Sequence, residues 1–299
     1  MAKVGAATYV ACIGSREAPM LEQQPSRTAL AAATHRAAHQ ILERGLLFAD
    51  PLALPILGRD ADEVARDAQD HPNRRGMRVF IAARSNFAET ALKAGVEQRG
   101  VTQLVVLGAG LDTFAYRNPM ADRLKVFEVD HPATQAWKHR RLGEAGIAVP
   151  DGVVYAPVNF EREALLDGLA ATGFEPRLRT FFMWLGVVPY LTTTAVRATL
   201  ATIGGLPGGA EVVFDYADPP AALTPEARAA HQDRAERVAA LGEPWLSYFE
   251  PSDLATMLAE LGFATVEDLG PSGMAARYWP DVQGAIPERG GHVLFAATT

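Results

Sequence analysis

The sequence predicts an α/β fold, a parallel sheet with helices on both faces, and three features predict it. Short apolar runs at residues 104–107, 124–129, 153–158, 180–186 and 211–216 alternate with segments of helical periodicity, the pattern of strands that pair in parallel. The stretch QLVVLGAGLDTFAYRNPMADRLKVFEVDH, residues 103–131, joins a buried-type strand to Gly108-Ala109-Gly110 and reaches a second strand ending on Glu128 and Asp130. About twenty residues separate the glycines from those acids, the distance that a βαβ unit needs to lay two strands side by side. About a hundred residues of helix and loop precede the first strand, enough for a cap over the sheet's binding edge.

Taken in order, residues 1–25 are weakly patterned and end at Pro25. Ser26 then caps a helix over 27–44, whose Leu30, Ala33, Ala37 and Ile41 make a small-residue face. Gly45 sits where a helix-ending glycine belongs, and Asp50-Pro51 opens a turn. Residues 60–70 read as an exposed helical or loop segment, and 76–97 as a helix with Phe80, Ala83, Phe87, Ala91 and Leu92 on one side. Past the second strand, helices run through Trp137 to Leu142 and from near Thr194. A charged helix at 224–241, before Trp245, reads as part of a lid. A helix at 251–261 and strands at 263–269 and 292–297 close the chain as a hairpin-like pair around a loop rich in Gly and Pro. The expected division is a helical cap at 1–100 and a core at 101–299 with a lid insertion around 217–250, without internal repeats.

Composition narrows the partners. With 48% hydrophobic and 21% charged residues over 299 positions the chain is an ordinary globular one. A net charge of −7 lacks the basic surplus that binding a phosphate backbone requires, although Arg74, Arg75 and Arg78 cluster locally, so no nucleic-acid partner is expected. The single cysteine, Cys12, excludes an intrachain disulfide and a multi-thiolate metal site. The longest apolar run, 181–188, is too short to span a bilayer, and the first twenty residues lack the layout of a signal peptide. The expectation is a cytoplasmic protein without membrane contact. His35 and His39 share a helix face at i and i+4, but Arg36, Ala37 and Ala38 stand between them with no acid. Solvated or locally bonded histidines are expected there, and no metal site.

Glycine at the turn after the first strand lets backbone approach a ligand closely, and a carboxylate at the tip of the next strand accepts hydrogen bonds from both hydroxyls of a ribose. A dinucleotide loop carries a third glycine three residues after the second, where a helix N-terminus closes on the pyrophosphate. Here Thr113 occupies that place. The residues therefore describe a nucleoside pocket better suited to a ligand without phosphates than to a nicotinamide dinucleotide.

LVVLGAGLDTFAYR followed by VFEVDHP resembles the leucine carboxyl methyltransferase-like branch of the class I methyltransferases that use S-adenosylmethionine (SAM), among them bacterial members acting on small molecules. SRTALAAATHRAAH, FADPLA and FIAARSNFAE resemble its N-terminal cap, and FFMWLGVVPYLT and PWLSYFEPSDLATMLAELGF its fourth-strand and C-terminal segments. The resemblance implies a Rossmann-like seven-stranded methyltransferase sheet with SAM as cofactor. Carried over residue by residue, it places Gly108, with Gly110 in the same turn, against the methionine part of SAM, Asp130 on the ribose, and Arg84 on the cofactor carboxylate. Asn159 and Phe160 stand where relatives have an Asp-Leu pair on adenine, and can still offer hydrogen bonds and a flanking ring. Leu185 stands where many members have a glutamate, so that acid's role is absent or filled otherwise.

Methyl transfer to a carboxylate needs alignment and no general base, because the acceptor is ionised at neutral pH. Arg27 and Arg36 are candidates to recognise an anionic acceptor from the cap, Tyr190 is placed at the sheet edge where ligands bind, and Trp184 and Trp245 are candidate pocket walls. The expected function is SAM-dependent O-methylation of a small acceptor, a carboxylate giving a methyl ester. The alternatives are a hydroxyl acceptor, a nicotinamide-dependent oxidoreductase, or a non-catalytic SAM-binding protein.

Overall fold

The computed structural model describes residues 26–158, 164–281 and 286–299. Cys12 and the leading segment, and Asn159 with Phe160, lie outside the described residues. Four helices precede the sheet: α1 (Arg27–Leu42), α2 (Ala53–Leu57), α3 (Ala61–Asp70) and α4 (Arg75–Gln98). Strands β1 (Gln103–Leu107), β2 (Lys125–Asp130), β3 (Val153–Pro157), β4 (Thr180–Trp184) and β5 (Ala210–Ala217) are interleaved with α5 (Pro132–Glu144), α6 (Leu165–Ala170) and α7 (Thr193–Gly204). The chain closes with α8 (Pro225–Ala240), α9 (Pro251–Glu260), β6 (Phe263–Leu269), α10 (Pro271–Tyr278) and β7 (Gly291–Thr298).

The seven strands lie in the order β3-β2-β1-β4-β5-β7-β6. β1 to β5 pair in parallel, and β7 runs antiparallel to both β5 and β6. β1, β4 and β5 are buried at nearly every residue, as strands covered on both faces are. The direction of winding reverses between β1 and β4, and the carboxyl ends at such a switch point are the usual ligand position in these sheets.

One sheet face packs Val105, Phe127, Phe182 and Phe214 against α7 and α9 through Leu200, Leu254 and Leu258. The other packs Leu104, Val106, Phe181 and Val213 against Ala83, Phe87, Ala88 and Leu92 of α4. α4 thus packs as a layer against this face of the sheet. The remaining cap helices form their own cluster: Ala33 and Ala37 of α1 meet Ile56, Leu57, Val64 and, from the body, Leu111 and Leu142. Small residues on α1 let its backbone come close to the glycine turn, which is the use of its alanine face.

Ser26 caps α1 by accepting a hydrogen bond from the Ala29 amide, and Gly45 takes a positive φ of 62° just past its end. Three short elements escape the sequence reading. α2 and α6 span five and six residues, less than the periodicity needs. α10 occupies the stretch between β6 and β7 expected to be loop. β1 is followed by a single 3₁₀ turn, Phe114–Tyr116, with no α-helix before β2.

Candidate cofactor site

The loop after β1 requires glycine at two positions. Gly108 and Gly110 have φ of 65° and 43°, a region that costs other residues strain. A Cβ on Gly108 would come within 2.4 Å of Val187, and one on Gly110 within 2.9 Å of Ala29. The first turn of α1 therefore lies directly on the glycine loop, and the turn after β4 closes on it from the other side.

At the tip of β2, Asp130 accepts hydrogen bonds from the Gly110 amide at 2.6 Å and from the His131 amide at 2.7 Å. Burial pushes its carboxyl above the usual range, and those two amides pull it back. Each oxygen retains acceptor capacity for a hydroxyl. Glu128, two residues earlier, points away into the body. It is fully buried, pairs with Lys138 at 2.8 Å and accepts from the Tyr116 hydroxyl.

Arg84, on α4, donates to Asp215 at 2.7 Å, at the carboxyl end of β5. Asp215 also accepts from the Gly186 amide at 2.6 Å. Leu185 is partly buried against the cluster on the α4 face, an apolar role for the position where relatives carry an acid. Sequence reasoning missed Asp215 altogether, although it follows Phe214 in a strand whose alternation sends Val213 and Asp215 to the α4 face.

Arg36 is committed to internal partners. Its guanidinium is buried, with Nε donating to Asp50 at 3.2 Å and Nη2 to the Leu111 carbonyl. It supports the glycine loop from behind. Thr113, in place of a third glycine, is fully buried and donates to the same Asp50 at 2.8 Å. Trp184 is likewise core, 1% exposed and packed near Phe214. Tyr190 and Trp245 contact each other through their side chains. Burial raises the Tyr190 phenol, beside Trp245, Thr28, Glu243 and Arg84.

The segment that follows α8 is tied to two neighbours. Leu246 and Ser247 donate their amides to the Pro189 carbonyl, at 2.6 and 3.3 Å, and Ser247 Oγ bonds the Val188 carbonyl. Glu243 accepts from the Arg27 and Thr28 amides at 3.0 and 3.1 Å, at the start of α1. Next to α1 lies a cleft of about 230 Å³ lined by Arg27, Arg59, Arg74, Arg78, His35 and the apolar Leu30. Burial, then the charges of Arg78, Arg74 and Arg84, hold His35 neutral with a pKa lowered to about 4. His39 is buried beside Glu43 at 3.3 Å. Among the described residues no three His, Cys, Asp or Glu side chains gather as metal ligands, and no helix is long and apolar enough to cross a membrane.

The strand order, the antiparallel seventh strand and a glycine turn facing an acid-tipped β2 define a class I methyltransferase. The chain belongs to the leucine carboxyl methyltransferase family, whose model matches residues 29–204. It is 30% identical over 279 residues, 84% of this chain and 90% of the relative, to a Bacillus subtilis protein named "Putative S-adenosyl-L-methionine-dependent methyltransferase YktD". It is 29% identical to a Mycobacterium ulcerans protein of the same description, over 81% of this chain and 80% of the relative. A DUF574 family protein from Streptomyces avermitilis shares the fold, with a TM-score of 0.54 and 14% identity over 94% of this chain and 100% of that one. The protein is a SAM-dependent methyltransferase. The nicotinamide alternative falls with this result, and the missing helix after β1 explains why: there is no helix N-terminus to hold a pyrophosphate.

Proposed function

We propose that the enzyme is an O-methyltransferase that transfers the methyl group of SAM to a carboxylate oxygen of a small molecule, forming a methyl ester. In this reading Gly108 and Gly110 admit the cofactor at the switch point, Asp130 holds its ribose and Arg84 its carboxylate. Asn159 and Phe160 are proposed to flank the adenine. Tyr190 and Arg27 line the approach of the acceptor.

One observation carries the choice of acceptor: the cleft beside α1. Arg27, Arg59, Arg74 and Arg78 line it with Asp67 as the acidic member. Arg78 is held by Glu43 and Arg59 by Glu63, which leaves Arg27, and Arg74 with only a 4.0 Å contact to Asp67, as the freer cations. Guanidinium binds carboxylate through paired hydrogen bonds, and Leu30, Ala31, Ala38 and Ala68 offer the acceptor an apolar wall. His35 in the same cleft, with its pKa near 4, is too weak a base to take a phenolic proton, and a carboxylate needs none removed. The displacement then depends on alignment of oxygen, methyl carbon and sulfur and on exclusion of water by the lid. Alignment of that kind is worth about 7–11 kcal/mol of a barrier.

The test is product chemistry. With methyl-labelled SAM and pools of small carboxylic acids and phenols, alkaline treatment should release labelled methanol from the product. A base-stable product would assign a hydroxyl acceptor instead. Arg27→Gln and Arg74→Gln should each raise the acceptor KM several-fold while leaving kcat and the affinity for S-adenosylhomocysteine (SAH) nearly unchanged.

A further inference from the structure

The pair formed by Arg84 and Asp215 is over-equipped for a structural ion pair. Both side chains are buried, at 8% and 5% exposure, and they come from elements far apart in sequence, α4 and β5. Arg84 uses Nη1 on Asp215, while its Nε is buried without a hydrogen-bond partner among the described residues. A buried donor left unpaired in a native fold asks for an explanation, an absent ligand being one. Gly186 adds a second sign. Its φ is 72°, and a Cβ there would come within 2.8 Å of Arg84 Nη2, so glycine lets the guanidinium lie directly against the turn after β4. Asp215, meanwhile, spends one oxygen on the Gly186 amide and the other on Arg84, and a carboxylate has about four acceptor positions.

We propose that Asp215 is the ammonium-binding residue of the cofactor pocket, so that Arg84 and Asp215 together recognise the amino-acid end of SAM. Asp215 accepts hydrogen bonds from the cofactor ammonium, and Arg84 donates to the neighbouring carboxylate. The four charges then alternate in sign, which satisfies each better than the bare pair does. Leu185 explains why the task falls to β5: the turn after β4 brings no acid to this face, and its Gly186 amide aims Asp215 instead. The inference rests on the reading of the strand ends at the switch point as the SAM pocket.

The experiment measures calorimetric affinities of the full-length protein for SAH, its desamino analogue, its decarboxylated analogue and methylthioadenosine. The wild-type protein should bind SAH at least tenfold tighter than desamino-SAH, a comparison that needs no variant. Asp215→Asn, whose amide oxygen still accepts from Gly186, should lose tenfold or more for SAH and for the decarboxylated analogue. Its affinity for desamino-SAH and methylthioadenosine should stay within twofold. Arg84→Lys should show the complementary pattern, losing SAH and desamino-SAH but not the decarboxylated analogue. Equal wild-type affinity for SAH and desamino-SAH, or equal losses for all four ligands in a folded Asp215→Asn protein, overturns the proposal. The pocket reading fails separately, if Asp130→Ala leaves methylthioadenosine affinity unchanged.

Discussion

Asp50 shows how much a single side chain of the cap contributes to the pocket. Its carboxylate is fully buried and accepts from Arg36 and Thr113, with Arg117 Nε a further 3.3 Å contact. The FADPLA segment is therefore the anchor of the GLDT turn, fixing the glycines from below. Asp50→Ala would leave the buried Arg36 guanidinium without its carboxylate, while Arg117 keeps its pair with Glu89. A buried pair broken from one side loses about 3–5 kcal/mol, so the denaturation midpoint should fall by that equivalent and SAH affinity with it. At the tip of β2, Asp130→Ala should weaken SAH binding by about 1–3 kcal/mol through lost hydrogen bonds, read by calorimetry. Two histidines give stability opposite slopes with pH. His35 is lowered to about 4, so its contribution is present above the unfolded value of about 6.5 and is lost as pH falls toward 4. His292 is pulled down by burial, but Asp268 and Asp218, at 2.9 and 3.2 Å, outweigh that and raise it. Its contribution is full below about 6.5 and lost as pH rises through the raised value. Melting temperatures against pH should therefore lose their acid-side slope in His35→Gln and their alkaline-side slope in His292→Gln.

Among the elements, the ones legible in the sequence were those whose own residues decide them. β1 and β4 are short runs that are apolar but for their first residue, α1 has a cap serine and a small-residue face, and Gly108, Gly110 and Asp130 announce their turn and tip by spacing. What the spacing could not show is which remote element each face meets. The periodicity of α1 puts Arg36 on its buried side with Ala33 and Ala37, yet only the fold reveals Asp50 and Leu111 waiting there. Asp215 lies 131 residues from Arg84, so no local pattern links them. The segment after α8 offers the same lesson with a test attached. Glu243 holds the first amides of α1, where a carboxylate also meets the positive end of the helix dipole. Such a cap is worth about 0.5–2 kcal/mol. Glu243→Ala should speed hydrogen exchange at Arg27 and Thr28, loosening α1 over Gly110, and should raise the rate at which SAH dissociates. Unchanged exchange at those amides would show that this segment does not hold α1.

At the scale of the whole molecule, the question is whether cap and core are separate bodies, and α4 decides it. The sequence division at residue 100 follows the start of β1, but Ala83, Phe87, Ala88 and Leu92 of α4 lie on the sheet beside Leu104, Phe181, Val213 and Val293. The first half of α4 carries Arg78, which holds Glu43 at the end of α1. One helix is thus shared by both layers. Stripping a buried Phe or Leu from a core typically removes about 2–5 kcal/mol each, while a whole domain is stable by only about 5–15 kcal/mol. A fragment of residues 101–299 should therefore fail to fold cooperatively, with its apolar sheet face open. A fragment of residues 75–299 keeps α4 and should melt cooperatively, though at lower temperature, since Leu111 and Leu142 lose the contacts of α1 and α2. That shorter protein should nevertheless bind SAH poorly, because Ala29 no longer covers Gly110 and Asp50 no longer fixes Thr113. Circular dichroism melts of the two fragments, with and without SAH, separate these roles. A cooperative, SAH-stabilised melt for residues 101–299 would place the boundary at the first strand and make α4 part of the cap.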